Sequence, residues 1–486
     1  MKIKYSLENI DQCFKEVLPY EEVPKAKTYF FRELALKAHR FYKGKIQTIP
    51  RIPIMGNQWM NVWYTPGVSR ISTAIRDQND LSFELSNRGN LVAVVSDSTR
   101  VLGDGNVSPP GGLGVMEGKA YLMKLLSAVD AVPLCMDSRN KEGIHDPKCI
   151  IDFVQRLQYS FGAINLEDIA HPNCYQVLDE LRESCDIPVW HDDQQGTACV
   201  ILAGLLNALR LAEKNIQDIK IVFIGAGAAN TTSLQMIAQA GGNLKKMIMF
   251  DSRGSLSRHR NDIQGNPMLY RQWNICQNTN IEEAQTLEES FKHADVCISL
   301  SASGPGIIPP DLIRSMNPKS IVFACANPVP EIYPHEAKAA GAFIVATGRG
   351  DFPNQVNNSL CFPGLLKGAL LVRAKKITDS MAIACAHSIA NFALKKGIHE
   401  ERILSGMDEQ ELYAVQAADL GMQAIKEGQA RKPYTWEELY AHTKEEIATV
   451  HRYLEAIFKA EPVQAFPVGI IQEIFDDAVR KAKSTK

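Results

Sequence analysis

Short apolar runs of strand length alternate with helical segments along most of this chain, and this alternation constrains the fold more than any other feature. A first series contains LVAVVSD, AVPLCMD, AINLED and IPVW (residues 91–97, 131–137, 163–168 and 187–190). A second series contains IKIVFIGAGAAN, MIMFD, ADVCISL and SIVFACAN, between residues 219 and 327. Strands that alternate with helices indicate parallel sheets, which bind ligands at the carboxyl ends of their strands. We therefore predict an α/β protein with two such parts and with helical N- and C-terminal segments.

Composition excludes several classes of protein. The 486 residues are 45% hydrophobic and 22% charged, with a formal net charge of −2 and no long run of like charge, so we expect no nucleic-acid partner. The N-terminal segment contains Glu8, Asp11 and Glu16 and has no apolar core, and no later run predicts a membrane span. The eleven cysteines include no Cys-x-x-Cys pair, which favours reduced, buried thiols in a cytoplasmic protein and argues against a zinc site.

A glycine turn follows the first strand of the second series. It consists of Gly225, Ala226, Gly227, Ala228, Ala229 and Asn230. Its two glycines permit a tight turn and let backbone N–H groups approach a pyrophosphate at a helix N-terminus. The third position of this fingerprint is normally glycine or alanine, so the helix and strand must accommodate the larger Asn230. The context predicts a dinucleotide site; the alternative is a glycine turn that binds nothing.

The end of the next strand bears on the choice of dinucleotide. Asp251 lies 24 residues after Gly227, where a carboxylate accepts hydrogen bonds from a ribose. It would repel a 2′-phosphate, which favours NAD. Arg253, Arg258 and Arg260 follow closely and could pair with such a phosphate, so NADP remains an alternative.

Two pairs of acids follow successive strands of the first series. Glu167 and Asp168 end one strand, and Asp192 and Asp193 follow the next in VWHDDQQGTA. If the two strands are neighbours, four carboxylates converge at one edge of the sheet. Such an oxygen-only set suits Mg²⁺ or Mn²⁺. Capping of separate helices by each acid is the alternative, but two adjacent pairs favour a metal.

Three further side chains have positions that suit catalysis. Lys119 in VMEGKAYLMKLL is expected at the start of a helix, where the helix dipole and burial would lower its pKa, as a general base requires. Tyr64 precedes a Thr-Pro-Gly turn, where a phenol can face a cleft. Arg100, just past residues 91–97, can hold a carboxylate through two hydrogen bonds. Taken singly, solvent-facing, packed and surface positions are the ordinary alternatives.

A series of motifs identifies the family that the sequence resembles. They are YKGKIQTIPRIPI with YTPGV, VLGDGNVSPPGGLGVMEGK, INLEDIAHPNC, IPVWHDDQQGTA, IGAGAAN with FDSRG, CANPVPEI, and ATGRGDFPNQVNNSLCFPG, between about residues 40 and 375. In composition and order they resemble the malic enzymes, in particular the shorter bacterial type. Such a series is far more specific than any single motif.

The resemblance implies a role for each candidate residue. Glu167, Asp168 and Asp193 match the acids that bind the divalent cation. Lys119 matches the lysine that removes the proton from the malate hydroxyl, with Asp192 close by. Tyr64 matches the tyrosine that protonates the enol carbon, and Arg100 matches the arginine that holds the substrate. Asn327 and Asn358 match the asparagines that contact substrate and nicotinamide ribose. Residues expected to bind the dinucleotide are Gly225, Ala226, Gly227, Ala228, Ala229, Asn230, Asp251, Arg253, Asn327 and Asn358.

The resemblance also implies an activity and a domain plan. The activity is oxidative decarboxylation of L-malate to pyruvate and CO₂ with reduction of NAD(P), dependent on a divalent cation. The plan places a substrate and metal domain at residues 1–192, a Rossmann-type domain at 193–358, and a helical C-terminal segment at 359–486 that packs back on the first domain. A homodimer or homotetramer in the cytoplasm is expected.

Three departures from the family pattern keep alternatives open. Asp104 lies in LGDGN where an apolar residue is usual, Gln195 replaces a histidine that is frequent in bacterial relatives, and Asn230 replaces the third glycine. A malolactic enzyme, which keeps NAD bound and releases lactate, would use the same residues. A metal-dependent oxaloacetate decarboxylase with a purely structural glycine turn is the other catalytic alternative. A non-catalytic protein is disfavoured, because the catalytic set is intact.

Overall fold

The computed structural model describes residues 7–20, 22–52, 56–101, 103–460 and 464–484. The chain divides into two compact units, Met1–Ile49 with His451–Lys486 and Pro50–Val450. The α-helices of the described residues are α1 (Ile10–Val17), α2 (Val23–Tyr42), α3 (Trp59–Trp63), α4 (Gly67–Asp77), α5 (Ser82–Leu85), α6 (Leu113–Ser127), α7 (Pro147–Leu157), α8 (Asn173–Ser184), α9 (Thr197–Ala212), α10 (Ala228–Gln239), α11 (Asn261–Gln264), α12 (Tyr270–Asn278), α13 (Leu287–Phe291), α14 (Pro310–Arg314), α15 (Pro334–Ala339), α16 (Phe362–Leu371), α17 (Asp379–Lys396), α18 (Glu411–Lys426), α19 (Trp436–Lys459) and α20 (Val468–Lys483). The strands are β1 (Leu91–Ser96), β2 (Asp130–Cys135), β3 (Ala163–Leu166), β4 (Val189–His191), β5 (Ile221–Ile224), β6 (Met247–Asp251), β7 (Gly254–Ser255), β8 (Val296–Ser299), β9 (Ile321–Ala324) and β10 (Ile344–Thr347).

The smaller unit is helical and has its own apolar core. Helices α1, α2 and α20 bury Phe14, Phe30 and Phe475, and the rings of Phe14 and Phe475 lie 4.5 Å apart between their centroids. Helix α1 presents Ile10, Cys13 and Phe14 from one face, the spacing that an amphipathic helix requires. The predicted helical character of the N-terminal segment is confirmed.

The first sheet of the larger unit contains four parallel strands among the described residues, in the order β2-β1-β3-β4. Strands β1, β3 and β4 are almost entirely buried, because helices cover both faces of a parallel sheet and the strands must be apolar throughout. In the pairing of β3 with β4, Leu166 lies opposite His191. The acids that follow each strand therefore leave the sheet side by side, as the sequence predicted.

The second sheet has the order β10-β9-β8-β5-β6-β7 within the described part of the chain. All its pairings are parallel except the short antiparallel pairing of β6 with β7. Strand β5 lies inside the sheet and leads directly into the glycine turn and α10. The predicted α/β class with a Rossmann-type sheet is confirmed. The boundaries at residues 192 and 358 stay a prediction.

Helix α9 joins the site to the core. Together with the turn before it, residues 192–212, it is long and apolar enough to cross a membrane, but 78% of the most apolar window is buried inside this unit. Its buried side chains include Ile201, Leu202 and Leu205. We therefore describe α9 as a core helix, one that fixes the acids at its N-terminus in position.

Candidate active site

Three carboxylates meet where β3 and β4 end. Oxygen atoms of Glu167, Asp168 and Asp193 all lie within 4.8 Å of one another. The Asp193 carboxylate accepts the backbone N–H of Asp168 at 2.7 Å, and the Asn165 amide donates to Glu167 at 2.9 Å. Burial raises the pKa of both Glu167 and Asp193, because removal from water disfavours the charged form of each carboxyl group. This oxygen-only donor set fits a hard divalent cation.

The backbone at Asp168 supports a functional reading of this cluster. Asp168 has φ of 54°, in the left-handed region that side-chain-bearing residues rarely adopt. Holding such a residue costs about 1–3 kcal/mol, and such strain concentrates at functional sites. The carbonyl of Asp168 accepts the backbone N–H of Arg100 at 3.0 Å, which ties the end of β3 to the loop after β1.

Lys119 lies against this acid cluster and Asp192. Its Nζ atom is 2.5 Å from Asp192 Oδ2 and 3.1 Å from Glu167 Oε1. Helix α6 begins at Leu113, so Lys119 lies in its middle and the expected place at a helix start is wrong. Burial alone would lower the pKa of Lys119, but the charges of Asp192, Glu167 and Asp193 outweigh burial and raise it. The expected lowering is also wrong here, because the adjacent carboxylates outweigh burial and Lys119 does not lie at a helix terminus.

Asp192 holds the Lys119 ammonium group through a direct contact. Its carboxylate is fully buried and bonds Lys119 through Oδ2, while Oδ1 accepts the indole N–H of Trp190 at 3.3 Å. The ring of Phe362 lies 4.7 Å from Lys119 Nζ, a cation–π contact. The sequence did not single out Phe362; the motif FPG after CANP and QVNN offered a signal only through its order along the chain.

The two remaining side chains assigned to substrate chemistry are exposed. Arg100 is exposed, and its backbone N–H bonds the Asp168 carbonyl oxygen, so its backbone adjoins the acid cluster. Tyr64 follows α3 and is 68% exposed. The Tyr64 phenol is thus open to solvent, in contrast to the buried Lys119.

Both predicted asparagines lie close to glycines in loops that follow strands of the first sheet. Asn358 begins a short 3₁₀ turn, and a Cβ added at Gly196 would lie 3.5 Å from the Asn358 Cβ. Asn327 follows β9, and a Cβ added at Gly103 would lie 2.9 Å from the Asn327 carbonyl oxygen. Gly103 belongs to the GDGN loop of the first sheet. Loops from the two sheets thus meet where nicotinamide and substrate would have to meet.

The glycine turn has the geometry that a pyrophosphate needs. Gly225 has φ of 96°, and a Cβ there would lie 2.5 Å from the Leu300 carbonyl oxygen, so only glycine fits. The space beside Gly227 is open, since nothing lies within 4 Å of an added Cβ. Ala226 is half-buried in the turn, and Ala228 and Ala229 form the first residues of α10, whose backbone N–H groups face this opening.

Asn230 strengthens this turn and does not crowd it. Its side-chain amide donates to the carbonyl oxygens of Ile224 and Gly225, both at 2.9 Å. These bonds close the end of β5 onto the first turn of α10. The departure from the glycine fingerprint therefore has a structural role.

The acid at the end of β6 is already paired. Both oxygens of Asp251 accept from Arg260, at 2.9 and 2.6 Å, and Oδ1 also accepts the Arg253 backbone N–H at 2.8 Å. Asp262 binds both Arg260 and Arg253. Hydrogen bonds to Asp262 and Asp251 raise the pKa of Arg260. Two of the three arginines offered as phosphate partners are thus held by acids, while Arg258 is exposed.

A buried glutamate that sequence reasoning missed joins the loops after β8 and β9. Glu331 accepts the Ser299 hydroxyl at 2.7 Å and the backbone N–H groups of Ser301 and Ala326, both at 3.0 Å. Burial raises its pKa. The signal for it was an acid inside the otherwise apolar CANPVPEI.

Arg271 of α12 was also missed, and it connects the nucleotide part to the acid-bearing turn. Its guanidinium donates to the Gln194 side chain at 3.0 Å and pairs with Asp179 at 2.5 Å, over the ring of Tyr175. The neighbouring Gln195 accepts the backbone N–H of His191 at 3.0 Å. Gln194 and Gln195 therefore both hold the HDDQQG turn in place through side-chain hydrogen bonds.

Comparison with known proteins agrees with this arrangement. Two protein-family models match, the malic enzyme N-terminal domain over residues 43–182 and the malic enzyme NAD binding domain over 194–424. The crystal structure of Entamoeba histolytica malic enzyme is 57% identical, has a TM-score of 0.96 and matches 98% of each chain. The NAD-dependent malic enzyme of Geobacillus stearothermophilus is 40% identical over 389 residues, 80% of this chain and 78% of that one. The NADP-dependent malic enzyme of Rhizobium meliloti (strain 1021) is 40% identical over 375 residues, 77% of this chain and 47% of that one.

Fold, glycine turn and relatives together define an NAD(P)-dependent oxidoreductase. More specifically, the chain belongs to the malic enzyme family, as its motifs predicted.

Proposed function

We propose that this chain oxidises and decarboxylates L-malate to pyruvate and CO₂, reduces NAD(P), and depends on a divalent cation held by Glu167, Asp168 and Asp193. The observation that carries the proposal is the direct contact of Lys119 with Asp192 and Glu167, beside the three-acid cluster. A proton acceptor and a cation-binding set must adjoin each other, because the C2 hydroxyl loses its proton and C2 its hydride directly beside C3, the carbon from which CO₂ leaves.

The acid cluster fits the proposed cation in donor type, spacing and charge. Its oxygens lie within 4.8 Å of one another and burial disfavours their charges. Magnesium or manganese suits such oxygen ligands. A cation bound there supplies Lewis-acid stabilisation of the negative charge that develops on substrate oxygen as CO₂ leaves.

The side chains divide the proton chemistry. Lys119 accepts the C2 hydroxyl proton through Nζ once a cation held by Glu167, Asp168 and Asp193 offsets the carboxylate charges that raise its pKa, and Asp192 holds that Nζ in place. A nicotinamide bound beside the glycine turn would accept the hydride from C2. Arg100 binds a substrate carboxylate, and Tyr64 returns a proton to C3. Asn327 and Asn358 orient substrate and nicotinamide ribose where the loops of the two sheets meet.

We further propose NAD as the preferred cofactor. The Asp251 carboxylate lies at the end of β6, and Arg260 is already balanced by Asp251 and Asp262. A 2′-phosphate would meet an occupied arginine and an acid, whereas a ribose hydroxyl would meet a hydrogen-bond acceptor.

A homodimer is the assembly that we propose, with a homotetramer as the alternative. Helices α3 and α4 bury none of their residues, and their exposed apolar side chains are Trp59, Met60, Val62, Trp63, Val68 and Ile71. Tyr64 lies on the same surface, so assembly through it would enclose the phenol. The eleven free thiols support the proposed cytoplasmic location. Light scattering and cell fractionation test these two points.

The test is nicotinamide absorbance with purified protein, L-malate and Mn²⁺, run with NAD and with NADP, followed by identification of the product. Pyruvate with reduced cofactor is the expected result, faster with NAD and abolished by chelation of the metal. Lactate without net reduction would replace the proposal with a malolactic reaction. Turnover of oxaloacetate alone, without nicotinamide, would replace it with a simple decarboxylase, and no turnover at all would refute it.

A further inference from the structure

Three cysteine thiols meet in the core of the larger unit, outside the acid cluster. Cys199 lies on α9, Cys361 directly precedes α16, and Cys385 lies on α17; all three are 0% exposed. Their Sγ atoms lie within 4.8 Å of one another, and those of Cys361 and Cys385 are 3.7 Å apart. They are separated by 162 and 24 residues along the chain, so no local motif reveals them.

We propose that Cys199, Cys361 and Cys385 bind one thiophilic metal ion of the zinc class, at a site separate from the carboxylates. A zinc–sulfur bond of about 2.3 Å places neighbouring sulfurs about 3.8 Å apart in tetrahedral and about 4.0 Å apart in trigonal coordination. The 3.7 Å between the Cys361 and Cys385 sulfurs is close to the tetrahedral value, and the other two sulfur pairs lie within 4.8 Å. Thiolates select soft ions, whereas carboxylates select magnesium or manganese, so the two sites would not compete for the same metal.

The three sulfurs are presented by elements that are already packed together. The Cys199 thiol donates to the Ala382 carbonyl oxygen of α17 at 2.8 Å, which joins α9 to the helix that carries Cys385. Burial raises the pKa of Cys199 and of Cys361, whereas hydrogen bonds from these two thiols lower the pKa of Cys385 to about 5. Binding therefore exchanges protons for metal: one M²⁺, two thiols and the Cys385 thiolate give one tris-thiolate complex with a single negative charge and two released protons.

The cluster is connected to the active site through a short segment. Cys361 directly precedes Phe362, whose ring lies over Lys119 Nζ, and the Cys361 backbone N–H donates to the Asn358 carbonyl at 2.8 Å. A metal at this cluster would tie residues 358–362 to α9 and α17. Its role is structural, since no sulfur touches the acids that the reaction uses, and the proposal does not depend on the substrate of this enzyme.

The experiment titrates the full-length protein with Cd²⁺ in excess Mg²⁺, which occupies oxygen sites, and follows the ultraviolet charge-transfer absorption of cadmium thiolates. We expect one equivalent per chain, release of protons, and an unfolding temperature raised by about 3 °C or more when the ion is at a hundred times its dissociation constant. Purified protein that has not met chelator should also contain zinc. Neither readout requires activity.

Variants identify the sulfurs. Cys385→Ala should abolish the cadmium absorption and the thermal shift. If Cys385→Ala does not fold, the nearly isosteric Cys199→Ser is tested in its place, with the same expected result. The matched control is Cys297→Ala, which removes a fully buried cysteine of β8 from a different core cluster and should bind cadmium as the unaltered chain does. Absence of binding by the unaltered protein, or retention of the full absorption by both cluster variants, would overturn the proposal.

Discussion

Both sheets of the larger unit carry acids at the carboxyl ends of their strands, but the two edges treat those acids differently. At the first sheet, Glu167 and Asp193 lie in a buried group where burial raises their pKa values. At the second sheet, the protein itself satisfies the acids. Asp251 is paired with Arg260, and Glu331 accepts hydrogen bonds from Ser299, Ser301 and Ala326.

The difference shows that an acid at a strand end has no fixed role. Where neighbouring acids add negative charge, the carboxylates form a site that suits a cation beside a proton acceptor. Where neighbours donate hydrogen bonds to an acid, that acid holds a loop in the conformation that a ligand needs. We expect substitutions at the first edge to affect chemistry, and those at the second edge to affect nucleotide binding and stability.

The largest effect should come from Lys119→Ala. Removing the proposed base should lower kcat/KM for malate by about 10³-fold, the range of general-base catalysis, with little change in nucleotide binding. Steady-state kinetics and nucleotide titration measure both. The control is Lys124→Ala on the same helix, which removes a half-buried pair with Asp130 and should leave activity near that of the unaltered chain. Equal losses in both variants would show a helix defect instead.

The next effect tests the cation. Asp193→Asn keeps the shape of the side chain but removes one charge, so we expect weaker binding of the cation. The Mn²⁺ concentration that gives half-maximal rate should rise about 100-fold. The matched control is Asp137→Asn. That acid follows β2 of the same sheet but is exposed and paired with Arg139. A normal metal requirement in Asp193→Asn would remove the contrast between the two sheet edges.

Glu331→Gln moves the comparison to the second edge. The carboxylate accepts backbone N–H groups on both oxygens, and an amide would turn a donor toward one of them. Leaving such a buried donor unsatisfied costs about 1–3 kcal/mol of stability. We expect KM for the nucleotide to rise about tenfold with kcat nearly unchanged, because Ala326 adjoins Asn327. Glu288→Gln, on an exposed helix surface, is the control. A fall in kcat alone would contradict a positioning role.

The sequence predicted those features that depend on chain order and residue type. Parallel strands bring Glu167, Asp168, Asp192 and Asp193 to one edge if β3 and β4 are neighbours, and the glycine turn was expected directly after a strand, here β5. It could not predict the pKa of Lys119, because that value depends on carboxylates from two other elements.

Features that arise only from packing were likewise out of reach. Arg260 lies nine residues from Asp251, but nothing in the spacing shows that it takes both carboxylate oxygens. Phe362 and Lys119 are distant in the chain, as are the three clustered thiols. Asn230 departs from the glycine fingerprint, and the motif does not reveal its two bonds to backbone carbonyls, which follow from local geometry.

The smallest effect sharpens the comparison within the second edge. Asp251→Ala should raise the ratio of kcat/KM for NADP to that for NAD by about tenfold, since it removes the charge that repels a 2′-phosphate and frees one side of Arg260. The control Asp262→Ala also removes an acid bound to Arg260 but leaves Asp251 in place, so the ratio should change little. If both variants shift the ratio equally, net charge near Arg260 decides cofactor choice, and Asp251 has no special position.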